Sequence, residues 1–203
     1  MTTPLDESPC DYIAAEYIEA MLGVSGAIVE DLVSNRFLRP LVAERLRACL
    51  LPLPEDLPTQ LKDLFGFVCI SSPDERKELS RYLCVLMNHE AIRKTTNGEL
   101  LRALADWCSD EAIIYLMRGE ALPALRSFRV LSGITRENIE LYAVQVDAWL
   151  VGCLPQAYHD RLRLRFRPDE QPFSLPLPGD EKDRNVFLDL AMAAWTLQKQ
   201  GGR

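Results

Sequence analysis

The sequence predicts an all-α fold: a single globular bundle of about eight or nine helices over residues 1–203, with an irregular proline-rich loop before the last helix. Apolar residues recur every three to four positions along nearly the whole chain, which is the spacing of one helix face. Recognisable helix-start signals separate these segments. With 203 residues, 48% of them hydrophobic, the chain is long enough to bury roughly 70% of its unfolded surface.

The first predicted helix is acidic, lies within residues 1–35 and runs from about Pro9 to Val33. Its apolar residues follow a helical rhythm, although Gly23 and Gly26 weaken its middle. Prolines follow the next helix and end it, because a proline interrupts a helix. The two helices that come next are predicted from Leu38 to Leu51 and from about Thr59 to Phe67.

The central predicted helix begins at Ser72-Pro73-Asp74-Glu75 and reaches about Lys94. A serine cap, a proline at the first helical position and a glutamate three residues after the serine together satisfy the free amides of a helix start. Residues from Leu79 to Met87 are apolar around most of the helix circumference, which is typical of a helix surrounded by other helices. We therefore expect this helix at the centre of the fold.

The second half of the chain contains four further segments with helix signals. The strongest amphipathic pattern follows Thr135, where one stripe is apolar and the acidic residues lie off it. The four helices are predicted from Asn97-Gly98 to Trp107, from Ser109-Asp110-Glu111 to near Gly119, from Thr135 to about Cys153, and from about Asp180 to Lys199.

Residues 155–179 are the irregular part of the sequence. Arg161, Arg163, Arg165 and Arg167 alternate with apolar residues, and a strand would place all four guanidinium groups on one side. The same residues could instead end a helix that begins at Pro155, because arginines are favoured near C-terminal carbonyls. Both alternatives stay open. The prolines within residues 168–179 then predict an extended loop.

The formal charge of −7 equals the number of acids in the first thirty-five residues, a stretch that contains no lysine or arginine. The rest of the chain carries equal numbers of acidic and basic residues. The acidic stretch is either a solvated helix face or a docking surface for a basic partner. It has the wrong sign for nucleic acid, because phosphate binding depends on lysine and arginine.

No catalytic or cofactor motif occurs in the sequence, so we expect no enzymatic activity, no cofactor and no metal. The six cysteines form no C-x-x-C pair and are interpreted as reduced core thiols. His89 is predicted to be a buried neutral imidazole bonded to a backbone carbonyl. With no signal peptide and no segment that could cross a membrane, the protein is expected to be cytoplasmic.

Three stretches of the chain match one protein family in their order and spacing. Near the start stands Pro9-x-x-Tyr12-Ile13, in the middle stands Arg81–Arg93 followed by Leu100-Leu-Arg-Ala-Leu, and late in the chain stand Leu154-Pro155 and the stretch Arg161–Pro168. In order and spacing, these stretches resemble SctK-type sorting-platform proteins of bacterial type III secretion systems. The first is similar to the opening of that family, the second to its central helix and the sequence after it, and the third to the region before its last helix.

The resemblance implies a non-enzymatic cytoplasmic adaptor, peripheral to the inner membrane through its partners. Such an adaptor links the cytoplasmic domain of the inner-membrane ring to the pod proteins of the sorting platform, which contain a cytoplasmic-ring protein of the SctQ type. The alternative is a helical regulatory or chaperone-like protein-binding domain.

Charged residues are our candidates for partner binding. Four guanidinium groups on one side need solvent, internal acids or an acidic partner, and pairing within the chain is as well supported as partner binding. We hypothesise that the arginine row or the acidic first helix contacts one of the two partners. The candidate residues are Arg161, Arg163, Arg165, Arg167, Glu16 and Glu19.

Overall fold

The computed structural model describes residues 4–108, 110–118, 136–167, 169–170 and 172–201. These residues form helices and irregular segments without a strand, so the all-α prediction is confirmed. The thirteen helices within these ranges exceed the eight or nine predicted, mainly because predicted long helices are divided. They are α1 (Pro4–Glu7), α2 (Pro9–Tyr12), α3 (Ala15–Leu22), α4 (Gly26–Ser34), α5 (Arg39–Cys49), α6 (Thr59–Ile70), α7 (Pro73–Met87), α8 (His89–Lys94), α9 (Gly98–Trp107), α10 (Asp110–Met117), α11 (Arg136–Gly152), α12 (Gln156–Arg165) and α13 (Glu181–Gly201).

The chain divides into two compact units, and each is discontinuous in sequence. Unit 1 comprises the chain up to Ile70 together with Leu154–Phe173, and so contains α1–α6 and α12. Unit 2 comprises Ser71–Cys153 and the chain from Ser174 onward, with α7–α11 and α13. The single domain over residues 1–203 stays a prediction, and the two units are described separately below.

The core of unit 1 has two parts. The first gathers buried residues from α1–α5 and the turns between them, including Leu5, Ile18 and Leu46. The second lies between α6 and α12, where the rings of Phe65 and Tyr158 pack with their centroids 5.4 Å apart. Such tilted aromatic pairs add to the stabilisation that burial of their area provides.

The core of unit 2 is built around α7, as the sequence predicts. Its residues from Tyr82 to Met87 are all buried, and the helix packs against both α11 and α13. The capping box at its start is also confirmed, since the amide of Glu75 donates to Ser72 Oγ (3.2 Å) and the amide of Ser72 donates to Glu75 Oε2 (2.6 Å). Helix α7 is therefore the centre of unit 2.

The prediction of one acidic helix from Pro9 to Val33 is wrong, because the structure places α2, α3 and α4 there and α1 before them. The backbone is extended at Ile13 and Ala14, which separates α2 from α3. Gly23 then adopts a left-handed conformation with φ of 69°, and Ser25 is extended. The positive φ suits glycine because glycine has no Cβ to clash.

The predicted helix from Ser72 to Lys94 is likewise divided, at Asn88. Its backbone leaves the helical region, and its side-chain amide donates to the carbonyl of Cys84 (2.7 Å). The predicted start at Asn97 is confirmed, because Asn97 Oδ1 accepts hydrogen bonds from the amides of Glu99 and Leu100. The predicted caps at Ser109 and Thr135 lie outside the described residues.

The first three arginines of the row lie on helix α12 and Arg167 follows two residues after its end, which decides between the two alternatives left open by the sequence. The helix covers Gln156–Arg165, so the period-two alternation does not mark a strand. Residues 169–170 and 172–180 follow without helix or strand, consistent with the predicted proline-rich loop over residues 168–179. Pro168 itself lies outside the described residues. Across the described ranges, every helix is too short or too polar to cross a membrane.

Candidate interaction surface

The acidic first residues and the arginines, which lie far apart in sequence, meet within unit 1. Asp6 forms an ion pair with Arg161 at 2.6 Å and Glu16 forms one with Arg167 at 3.2 Å. Asp11 is similarly paired with Arg39 of α5. The fold therefore combines charges that the sequence suggested as two separate surfaces.

Arg161 is paired within unit 1, which is one of the two alternatives that the sequence left open, and its role in partner binding stays a prediction. Its side chain is only 4% exposed. The guanidinium donates through Nε and Nη2 to Asp6 Oδ1, and through Nη1 to the carbonyls of Leu51 (2.8 Å) and Ala157 (2.9 Å). On a helix, Arg161 shares the face of the buried residues Tyr158 and Leu162. Arg165 lies one turn after Arg161 on the same side of α12, whereas Arg163 lies two residues after Arg161 and so on a different side.

The remaining three arginines lie toward the surface. Arg163 is exposed, and Arg165 is partly buried with its Nη1 donating to the carbonyl of Cys69 in the last turn of α6 (3.3 Å). A cation is favoured there by the helix dipole. Arg167 lies just beyond α12, and its side chain is 63% exposed while it pairs with Glu16.

The two acidic candidates both lie on α3. Glu16 lies in the first turn, where the helix dipole favours an acid. Glu19 is partly buried and approaches Gly26 so closely that a Cβ at position 26 would meet its carboxylate. No ion pair joins Glu19 to any described arginine.

A direct backbone contact ties the helices that carry these residues. The amide of Ala14, immediately before α3, donates to the carbonyl of Leu164 near the end of α12 (2.7 Å). We call Glu16, Glu19, Arg163, Arg165 and Arg167 the α3–α12 surface. It presents both signs of charge on helices that are held together by main-chain and side-chain bonds.

Most of the side chains that could be chemically reactive, the cysteines and His89, are buried. All six cysteines are thiols rather than disulfides, and four of them are buried; Cys49 is exposed, so its prediction as a core thiol is wrong. Burial raises the pKa of Cys84 well above its usual value, and burial raises the pKa of Cys153 to about 11 although Arg184 opposes that shift. His89 is buried with Nδ1 2.9 Å from the carbonyl of Leu86, which confirms its predicted hydrogen bond. Within the described ranges, metal-ligating side chains form no group of three.

One polar cluster in unit 2 was not predicted. Glu140 of α11 accepts hydrogen bonds from Trp107 Nε1 (2.8 Å) and Arg81 Nη2 (2.6 Å), and its other oxygen lies 3.2 Å from Lys77 Nζ. Burial raises the pKa of Glu140, but these three donors outweigh burial and leave that pKa below its usual value. The cluster connects α7, α9 and α11. The sequence predicted only that the acidic residues of this helix lie off its apolar stripe. It did not predict the three donors that surround Glu140.

No family model matches the sequence, and no curated protein or solved structure matches it either. The resemblance to SctK-type proteins therefore rests on the stretches quoted above. In the structure, Pro9-x-x-Tyr12 forms α2, Arg81–Arg93 runs from the second half of α7 into α8, and Leu154-Pro155 immediately precedes α12. Each of these stretches thus has a structural role in beginning or centring a helix.

Proposed function

We propose that this protein is a non-enzymatic cytoplasmic adaptor of a bacterial type III secretion system. It links the cytoplasmic domain of the inner-membrane ring to the pod proteins of the sorting platform, and it stays at the membrane only through these partners. The order of the three similar stretches supports the family, and the α3–α12 surface is the observation that supports a binding role. Exposed charges on a fixed helical support are suited to orienting a protein partner.

The energetics of the α3–α12 surface favour a role in binding over a role in folding. The pair of Glu16 and Arg167 is largely solvent-exposed, and an exposed pair of this kind contributes only about 0–1 kcal/mol to stability. Charges at the rim of an interface mainly set the association rate and its salt dependence. Replacing these residues should therefore leave the fold intact and affect partner binding.

The test is charge reversal of the two exposed arginines, Arg163→Glu and Arg167→Glu, in one variant, with Arg165 left unchanged because it binds the end of α6. Arg161 is left unchanged because its buried side chain holds unit 1 together. We expect co-purification with either the ring domain or the pod protein to fall by at least about tenfold, a loss of 1.4 kcal/mol. Circular dichroism should remain that of the wild type. Raising the salt concentration should also weaken binding of the wild-type protein to that partner, because salt screens exposed charges.

A charge-matched control reverses two exposed cations of unit 2, Arg102→Glu and Lys182→Glu. This control should retain the partner that the first variant loses. If the wild type binds neither the ring domain nor the pod protein, the adaptor function is wrong. If both partners bind the first variant as they bind the wild type, the adaptor function survives and the α3–α12 surface is excluded.

A further inference from the structure

Unit 1 exposes several large apolar side chains on two helices that are consecutive in sequence and in the turn between them. On α4, Ile28 is 47% exposed; in the turn before α5, Phe37 is 70% exposed; and on α5, Leu41 is 61% exposed. The opposite faces of both helices are buried through Val29, Val42 and Leu46. Single exposed apolar residues are normal, but several on neighbouring elements indicate a contact surface.

The connection between these helices is held in a defined conformation. Asn35 Oδ1 accepts hydrogen bonds from the amides of Phe37 (2.9 Å) and Leu38 (3.3 Å), which fixes the turn that presents the phenyl ring. The guanidinium carbon of Arg36 lies 4.5 Å from the centre of that ring. Arg39 binds Asp11 and so ties the start of α5 to α2. A surface ordered in advance loses less entropy when it binds.

Each of these two helices carries an exposed charge near its exposed apolar side chain, and the two charges have opposite signs. On α4, the exposed Asp31 lies three residues after Ile28, and on α5, the exposed Arg45 lies four residues after Leu41. Residues at these spacings share one helix face. Neither Asp31 nor Arg45 forms an ion pair with another described residue. Each helix therefore carries an apolar side chain and, one turn later, an available charge, with opposite signs on the two helices.

We propose that a second copy of this chain docks here, so that α4 and α5 form the interface of a two-fold dimer. In such a dimer, residue i of one copy meets residue j of the other, and j meets i. Ile28 then packs against Leu41 of the second copy, and Asp31 faces Arg45 of the second copy, twice in the same interface. This proposal is independent of the adaptor function.

The first measurement is the molar mass of the full chain by sedimentation equilibrium from about 1 µM to about 500 µM, the range in which weak interfaces associate. We expect reversible dimerisation that Leu41→Glu weakens at least about tenfold. The matched control is Leu141→Glu, because Leu141 is 74% exposed on unit 2 and should have no effect. A wild-type chain that stays monomeric throughout would overturn the proposal and leave this surface to a different protein.

A charge exchange tests the orientation. Chains with Asp31→Arg alone or Arg45→Asp alone should each dimerise more weakly, because like charges then face each other in both contacts. A mixture of the two variants should recover the heterodimer, which differently tagged copies detect by co-purification. Failure of the mixture to associate more tightly than either variant alone would show that the two helices do not face each other as proposed.

Discussion

At the scale of single residues, burial decides what each arginine of α12 does. Arg161 has its charge removed from water, and such a charge must be matched by a partner and by hydrogen bonds. Asp6 and the carbonyls of Leu51 and Ala157 meet that requirement. Arg167 has a similar ion pair at the surface, where solvent screens it. The two arginines look equivalent in the sequence and differ only through their position on the fold.

Replacing Arg161 by methionine should lower the free energy of unfolding by about 3 kcal/mol, because it leaves the Asp6 carboxylate without its cation. Urea unfolding followed by circular dichroism measures the change. The matched variant Arg167→Met should change stability by less than about 0.5 kcal/mol. The double variant Asp6→Leu/Arg161→Met should lose less than Arg161→Met alone. Equal losses in Arg161→Met and Arg167→Met would contradict the buried role.

Glu140 should make the stability of unit 2 depend on pH in the acidic range. Its pKa is lowered in the folded protein, so its stabilising contribution is fully present above the unfolded pKa near 4.5 and is lost as pH falls through the folded pKa. The difference in urea midpoint between the wild type and Glu140→Gln should therefore shrink as pH falls below 4.5. Trp107→Phe removes one of the three donors and should reduce the same dependence in part. A difference that stays constant from neutral pH to strongly acidic pH would rule out this linkage.

At the scale of helices, local signals predicted the starts well and the interruptions poorly. Ser72 and Asn97 begin helices because their side chains satisfy free amides within three residues, an interaction contained in the sequence itself. The break after Leu22 lies at Gly23, a position that the sequence marked only as a weak point of one helix. The break after Tyr12 lies at Ile13, which is extended and buried in the core of unit 1. Apolar spacing is helical on both sides of each break, so that spacing alone could not divide the segment.

Loss of the capping box should destabilise α7. Ser72→Ala removes the oxygen that accepts from the amide of Glu75, and we expect a cost of about 1 kcal/mol. Ser25→Ala is the matched change, because Ser25 precedes α4 without a side-chain capping bond. Thermal unfolding by circular dichroism should show a lower midpoint for Ser72→Ala than for Ser25→Ala. Equal midpoints would mean that the box contributes nothing measurable.

A glycine is needed at position 152, at the end of α11, because another stretch of backbone approaches it closely and not because its φ is unusual. A Cβ at this position would overlap the carbonyl oxygen of Leu175, whose amide donates to the carbonyl of Ala148 (2.9 Å). Gly152→Ala should therefore destabilise unit 2 by about 1–3 kcal/mol, as overpacking does. Gly98→Ala is the control, because a Cβ at Gly98 meets no atom within 4 Å. A Gly152→Ala variant as stable as Gly98→Ala would contradict the close approach.

At the scale of the whole molecule, the sequence shows where the charges are concentrated but predicts only in part which charges pair with each other. The sequence shows acids at one end and arginines near the other, and pairing within the chain was one of the two alternatives that it left open. Unit 1 brings Asp6 to Arg161 and Glu16 to Arg167, although each pair is about 150 residues apart. No local rule connects positions at that separation; they meet because α12 packs on α6 and because the amide of Ala14 donates to the carbonyl of Leu164.

The discontinuity of unit 1 predicts that a chain ending at Ile70 does not fold. Without α12, the buried Phe65 and Val68 of α6 would face water and Asp6 would lose Arg161. Joining residues 1–70 to 154–173 through a flexible linker of about ten residues should restore helicity and cooperative unfolding. Circular dichroism compares the two fragments. Equal, cooperative unfolding of the shorter fragment would show that α12 is dispensable.

The division into two discontinuous units also determines when each unit can fold during protein synthesis. Protein synthesis runs from the N-terminus, and domains usually close in the order in which they leave the ribosome. Here α12 is made only after α7–α11, and α13 is made last. The apolar side of α6 therefore lacks α12 as a packing partner until more than eighty further residues have been translated. Both halves of the protein are completed late and within a few tens of residues of each other, so the nascent chain is the form most in need of protection.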